Sequence, residues 1–291
     1  MNIEFFYHIC IISMIFFIIS SWFKFFLKIR TILDLSYLWL IIFSAYLWFI
    51  LNNHFGFSLL LSILIWFISS IPLTFLLLYI SSKLDWIYFI IWTLSIYMIF
   101  LQVVKNAESL TWWIFWLSLD SQNIIWNYII YSLNNFFLIY LVIVTIILLV
   151  LAQINKSFFF KILLWWWENE LSLKSLWVKI NLYKFWMILL TTFLASLWWN
   201  LYWFYHAYID PSSFWIIMLN LVLIISLISY KLWNLWTLIV WFIIIGLYEY
   251  IRFFKFVDVS QIWYFREMIF WIIIMSTSFV VFRFTNFWRE I

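Results

Sequence analysis

A chain of 291 residues that is 69% hydrophobic and only 10% charged has too little polar surface for a soluble globular domain and reads as a polytopic membrane protein. The formal net charge of +4 follows from where Lys and Arg fall relative to the apolar segments, so it gives no reason to expect nucleic-acid binding. One cysteine, Cys10, excludes an internal disulfide and a cysteine-based metal cluster.

In chain order, nine apolar stretches are long enough, or nearly so, to span a bilayer: 5–23, 32–51, 57–80, 87–104, 133–153, 184–204, 213–230, 235–251 and 267–283. The expectation is an all-α, polytopic transmembrane helical bundle of about nine spans, forming one domain over 1–291. The first stretch lacks a small-residue cleavage site and reads as a retained helix. Placing the amino terminus outside leaves only Lys105, Arg252, Lys255 and Arg266 of the 16 basic residues on the outer side; Lys24 counts among the inner ones. That orientation makes 155–183 the principal cytoplasmic loop and 105–132 a long outer connection.

Within the inner loop, residues 168–184 read ENELSLKSLWVKINLYK. The pattern predicts a short polar helix carrying Ser172, Lys174 and Ser175 and ending near Trp177. Glycine at 177 would supply the positive φ that terminates such a helix, which a tryptophan adopts only with strain. The alternative is an ordinary solvated connector.

Ionisable and amide groups near the spans are few. Asp34 sits at the start of the second span, where the helix N-terminus accounts for it. Glu249 and Arg252, spaced i, i+3, read as a local ion pair. His206 and Asp210 fall in the outer loop, with Asp210-Pro211-Ser212-Ser213 as a turn and helix cap. Asn200 lies deep in the sixth stretch, as a pathway group or an interhelical hydrogen-bonding residue. No catalytic or metal-ligating set stands out.

The residue counts carry a further signal. There are 25 Trp and only 2 Gly, Gly56 and Gly246, where average usage of about 7% predicts roughly twenty glycines. Most Trp letters are therefore expected to stand where the working protein has glycine, as happens when UGA codons read as glycine in the source are translated as tryptophan. Ala195, Trp199 and Trp203 lie at i, i+4 and i+8. With glycine at the last two they form a small-residue stripe that lets membrane helices approach and slide. Trp66, Trp92, Trp241 and Trp271 lie inside apolar runs, although membrane tryptophans favour the water interfaces. A naturally Trp-rich membrane protein is the alternative.

Read with that exchange, the chain resembles the permease subunits of bacterial branched-chain amino acid ABC transporters. In LDLSYLWLIIFSAYLWF at 33–49, Ser44, Ala45 and Tyr46 match a Gly-Ala-Tyr signature. LDWIYFIIWTL at 84–94 is similar to Gly-x-Tyr-Phe-x-Ile-x-Thr-Leu, and SLTWWIFWLS at 109–118 to Ser-Leu-Thr-Gly-Gly followed by Gly and Leu-Ser. LWNLW at 232–236 looks like Leu-Gly-Ser/Asn-Leu-Trp, with Thr237 and Leu238 departing from the Gly-Pro expected next. The inner loop is similar to the family's coupling segment at Glu168, Asn169, Glu170, Ser175, Leu176, Trp177, Val178 and Lys184, while Trp167 stands in place of an Arg.

The resemblance implies a permease domain in the cytoplasmic membrane that forms half of a translocation pathway for hydrophobic amino acids. Its implied partners are a related second permease subunit, two cytoplasmic ABC ATPase subunits, an extracytoplasmic amino-acid-binding protein and the lipid bilayer. Glu168, Asn169, Glu170, Ser172, Lys174, Ser175 and Trp177 would form the ATPase-coupling loop, and Ala195, Trp199, Asn200 and Trp203 a pathway or sliding face. The chain is expected to need no cofactor and to be no enzyme, since it has no phosphate-binding loop of its own. Alternatives are a permease of the same superfamily for sugars, nucleosides or amides, and a non-transporting accessory subunit of a membrane complex.

Overall fold

The computed structural model describes residues 3–29, 36–56, 58–84, 86–106, 117–118, 124–125, 128–129, 132–168, 170–206, 208–209, 222, 225–226, 234–250, 268, 271–272 and 275. Nine helices lie within them: α1 (Ile3–Ile29), α2 (Ser36–Phe55), α3 (Leu59–Lys83), α4 (Trp86–Asn106), α5 (Leu133–Lys156), α6 (Phe158–Glu168), α7 (Glu170–Ser175), α8 (Ile180–His206) and α9 (Asn234–Tyr250). Two antiparallel ladders, each of two-residue strands, accompany them: β1 (Leu117–Ser118) with β4 (Tyr208–Ile209), and β2 (Ile124–Ile125) with β3 (Tyr128–Ile129).

Five of these helices, α1, α3, α4, α5 and α8, are long and apolar enough to cross a membrane. Their polarity is inverted relative to a soluble bundle. Leu64, Ile68, Ile91, Ile99, Val142, Ile146 and Leu149 point outward, while Ser13, Ser20, Ser44, Thr74, Thr93 and Ser196 are buried. An apolar exterior suits hydrocarbon, where burial gives no driving force and the interior must cohere by packing and hydrogen bonds. The buried hydroxyls satisfy themselves on the preceding turn: Ser44 donates to Ile41 O at 2.9 Å, Thr74 to Ser70 O at 2.7 Å, and Ser196 to Phe193 O at 2.7 Å.

α8 is the central element, packed on α1, α2, α3 and α6. α1 joins it to α5 and α9, and α4 lies outside on α2. Aromatic pairs fix the register: Phe75 meets Phe185 at 4.7 Å and Phe67 meets Phe193 at 5.4 Å, so α3 and α8 run antiparallel. Hydrogen bonds tie α1 to its other neighbours. Trp241 Nε1 donates to Ser20 Oγ at 2.6 Å and Ser226 Oγ to Ser20 O at 3.3 Å, while a separate bond from Tyr140 OH to Leu201 O at 2.6 Å joins α5 to α8.

Three differences from the sequence reading stand out. The segment from 155 is not a loop throughout. Ser157 accepts from Phe160 N at 3.3 Å and so opens α6, an apolar helix whose Phe160, Ile162, Leu163 and Trp166 are buried against the bundle. Lys24 is not a solvated loop charge, because α1 continues past it to Ile29 and encloses its side chain. His206 closes the last turn of α8 and is not in the loop; its Nδ1 lies 2.9 Å from Tyr202 O and its ring stacks on Tyr202 at 4.1 Å. The stretches at 213–230 and 267–283, Asp34, Arg252, and the outer loop's Asp210 and 109–116 lie almost wholly or entirely outside the described residues.

Candidate functional site

The inner segment is built as a helix, a tight stop and a re-entry. α7 begins at Glu170 and ends at Ser175, with Leu173 buried as its seat and Ser172, Ser175 and Leu176 exposed. Val178 N donates to Leu173 O at 3.3 Å, the six-to-one bond of a Schellman stop, which places Trp177 at the position where the chain turns left-handed. Its φ is 57°, close to the 63° of Gly56 at the end of α2, and among the described residues it is the one non-glycine at positive φ. Its indole is 93% exposed, so no packing compensates for the strain. The conformation that the sequence reading assigned to a glycine at 177 is present there.

Glu168 is the last residue of α6, and Glu170 and Lys174 belong to α7; Asn169 lies outside the described residues. α7 rests on α6, which in turn touches α1, α5 and α8. On the far side Lys184 sits 4.3 Å over the ring of Trp166, fastening α6 to the first turns of α8. Beyond Trp177 an open groove of about 620 Å³ runs between α3 and the start of α8, lined by Phe75, Leu78, Val178, Lys179 and Phe185.

The proposed sliding face is buried as a unit: Ala195, Trp199, Asn200 and Trp203 all lie inside, on the helix that packs against α1, α2 and α3. Trp199 stacks on Tyr202 at 5.1 Å and meets Trp203 edge-on at 5.3 Å. The tryptophans of the interior divide into two kinds. Trp241 is accommodated, with its N–H on Ser20 and its ring stacked on Phe16 at 4.7 Å, against the expectation from its place in an apolar run. Trp39, Trp66 and Trp198 bury Nε1 with no hydrogen-bond partner, at a cost of about 1–3 kcal/mol each. The carboxamide of Asn200 is 1% exposed and also lacks a partner at both Oδ1 and Nδ2.

Two polar features escaped the sequence reading. Lys24 is 1% exposed and donates to Thr237 Oγ1 at 3.2 Å, across α1 and α9. Near the other end of the bundle, His8 of α1 is hydrogen-bonded to the Tyr205 hydroxyl of α8, and Glu249 of α9 is 6% exposed within electrostatic range of that phenol. Glu249 thus faces the interior. A Lys within an unbroken apolar run, with Thr237 leading another, was the only trace of the first. The second joins residues almost two hundred positions apart. Tyr205→Phe is expected to destabilise the protein by about 1–2 kcal/mol, read by thermal unfolding in detergent, because the hydrogen bond to the His8 ring is lost while the apolar packing stays.

Among the described residues no group of His, Cys, Asp and Glu is placed to hold a metal ion. No family model, curated protein or solved structure matches the chain.

Proposed function

We propose that this chain is the permease subunit of an ABC importer for branched-chain amino acids, crossing the cytoplasmic membrane about nine times and paired with a related permease. Two ATPase subunits would bind its inner face and a substrate-binding protein its outer face. The observation that carries this reading is Trp177: the family resemblance requires glycine at that turn, and the backbone there adopts the left-handed conformation that glycine serves. The same exchange gives the resemblance its other matches at 86, 112, 113 and 233.

In this reading the segment from Glu168 to Ile180 is the lever. α7 presents the exposed Ser172, Ser175 and Leu176 to an ATPase, and α6 passes its displacement to α1, α5 and α8. The spans then tilt between inward-open and outward-open states, with glycine at 199 and 203 letting α8 slide on its neighbours. The substrate's aliphatic side chain suits an apolar path, and its charged head needs a few hydrogen-bonding groups, of which Asn200 is the foremost.

Replacing Glu170 and Lys174 together by alanine is expected to reduce ATPase co-purification in detergent by about tenfold or more while leaving membrane insertion unchanged. Undiminished association would remove the docking role. A second reading, an accessory subunit that packs with genuine tryptophans, is favoured by the satisfied indole of Trp241. Peptide mass spectrometry of the protein from its own host separates the two: glycine at 112, 113, 177, 199 and 233 supports the permease, and tryptophan at all five supports the accessory subunit.

A further inference from the structure

We infer that the first turn of α3, together with the Asn200 carboxamide of α8, forms a carboxylate-binding site near the outward end of the bundle; this rests on the transport reading for the identity of its ligand.

α3 starts at Leu59 after Ser58, which has the extended backbone of an N-cap (φ −65°, ψ 159°) but whose side chain makes no capping hydrogen bond. The first backbone bond of the helix is Ser62 N to Ser58 O at 3.0 Å, so the N–H groups before it have no partner within the helix. A 25-residue helix also concentrates partial positive charge at that end. A bare helix start would mean little by itself.

The register with α8 adds the second half. Phe75 pairs with Phe185 and Phe67 with Phe193, eight residues back on one helix for eight forward on the other. Two turns further along the same seam, seven residues on each helix, position 200 falls opposite position 60, in the first turn of α3. Asn200 therefore faces the uncapped turn from a buried position, with neither end of its amide hydrogen-bonded. Ser196, one turn away on the same face of α8, is buried as well.

The chemistry selects the ligand class. Backbone N–H groups and the Asn200 Nδ2 are donors, the helix end favours negative charge, and no basic side chain is needed for a carboxylate to be held. Asn200 Oδ1 remains free to accept from an ammonium on the same molecule, which fits the head of an α-amino acid. Trp199 and Trp203 stand one residue before and three after Asn200; as glycines they would leave the approach to the amide open.

The test uses the complete importer purified from its host and reconstituted in liposomes, with L-leucine as the probe. Asn200→Leu is expected to raise the KM for L-leucine by about 10- to 100-fold with little change in kcat, and Asn200→Asp by at least as much, since its carboxylate repels the ligand's. Ser58→Asp should raise the unfolding temperature by capping α3, yet raise KM by placing a competing carboxylate on the turn. Should Asn200→Leu fail to fold, the other two variants decide. An unchanged KM in Asn200→Asp and Ser58→Asp overturns the site while leaving the transport reading standing. If the wild-type importer moves no amino acid, thermal stabilisation in detergent is measured with acetate, L-leucine and 3-methylbutylamine. Stabilisation by the two carboxylates that Asn200→Asp abolishes keeps the site and sinks the amino-acid reading; none by either carboxylate overturns the site.

Discussion

Trp241→Gly is expected to destabilise the protein as written by about 3–5 kcal/mol, whereas Trp177→Gly is expected to stabilise it by about 1 kcal/mol. The opposite signs come from the two environments. The indole of Trp241 is buried, stacks on Phe16 and donates to Ser20, so its removal leaves a cavity and takes a hydrogen bond from the α1–α9 seam. At Trp177 the backbone is left-handed and the ring faces outward, so glycine relieves strain and forfeits little contact. Trp66 and Trp198 fall between. Losing either ring costs packing, but it also removes an indole N–H buried without a partner, worth about 1–3 kcal/mol. Thermal unfolding of the four single variants in detergent micelles checks the pattern. Uniform losses of several kcal/mol at all four sites would mean that each tryptophan is at home, and the glycine reading of this chain would fail.

Thr237→Val should cost about 1.5–3 kcal/mol, more than an exposed Thr→Val, because it takes a hydrogen-bond acceptor from a buried ammonium. The valine nearly matches threonine in shape, so the loss isolates the polar contact. On a Lys24→Met background the same exchange should cost less than about 0.5 kcal/mol, since no charge then depends on the hydroxyl. The difference between the two costs is the coupling energy of the pair. Equal costs on both backgrounds would show that Thr237 stabilises the protein through its own helix alone.

Spans and stops were legible where a local cause produces them. The apolar stretches at 133–153 and 184–204 mark the helices Leu133–Lys156 and Ile180–His206, which run a few residues further, and the stop at Trp177 follows from a polar helix that had to end before the next span. What escaped depends on neighbours far along the chain. α6 reads as a connector because eleven residues are too few to span; its Leu163 and Trp166 acquire meaning only against α1, α5 and α8. Lys24 was assigned to water by its charge, yet a threonine more than two hundred residues away gives its ammonium a place inside. Asn200 was legible as an oddity in an apolar run. Its position opposite the start of α3 needed the aromatic pairs that set the antiparallel register.

The short ladder between Leu117–Ser118 and Tyr208–Ile209 couples two otherwise separate parts of the chain. One strand comes after α4 in the chain, and the other lies just past the end of α8. A shift of the first strand would therefore be felt at the end of the most central helix. Two residues per strand make a weak fastening, one that modest force can undo and thermal motion can remake. The closing turn of α8 is thus anchored to the chain that leaves α4 by two rungs of backbone pairing.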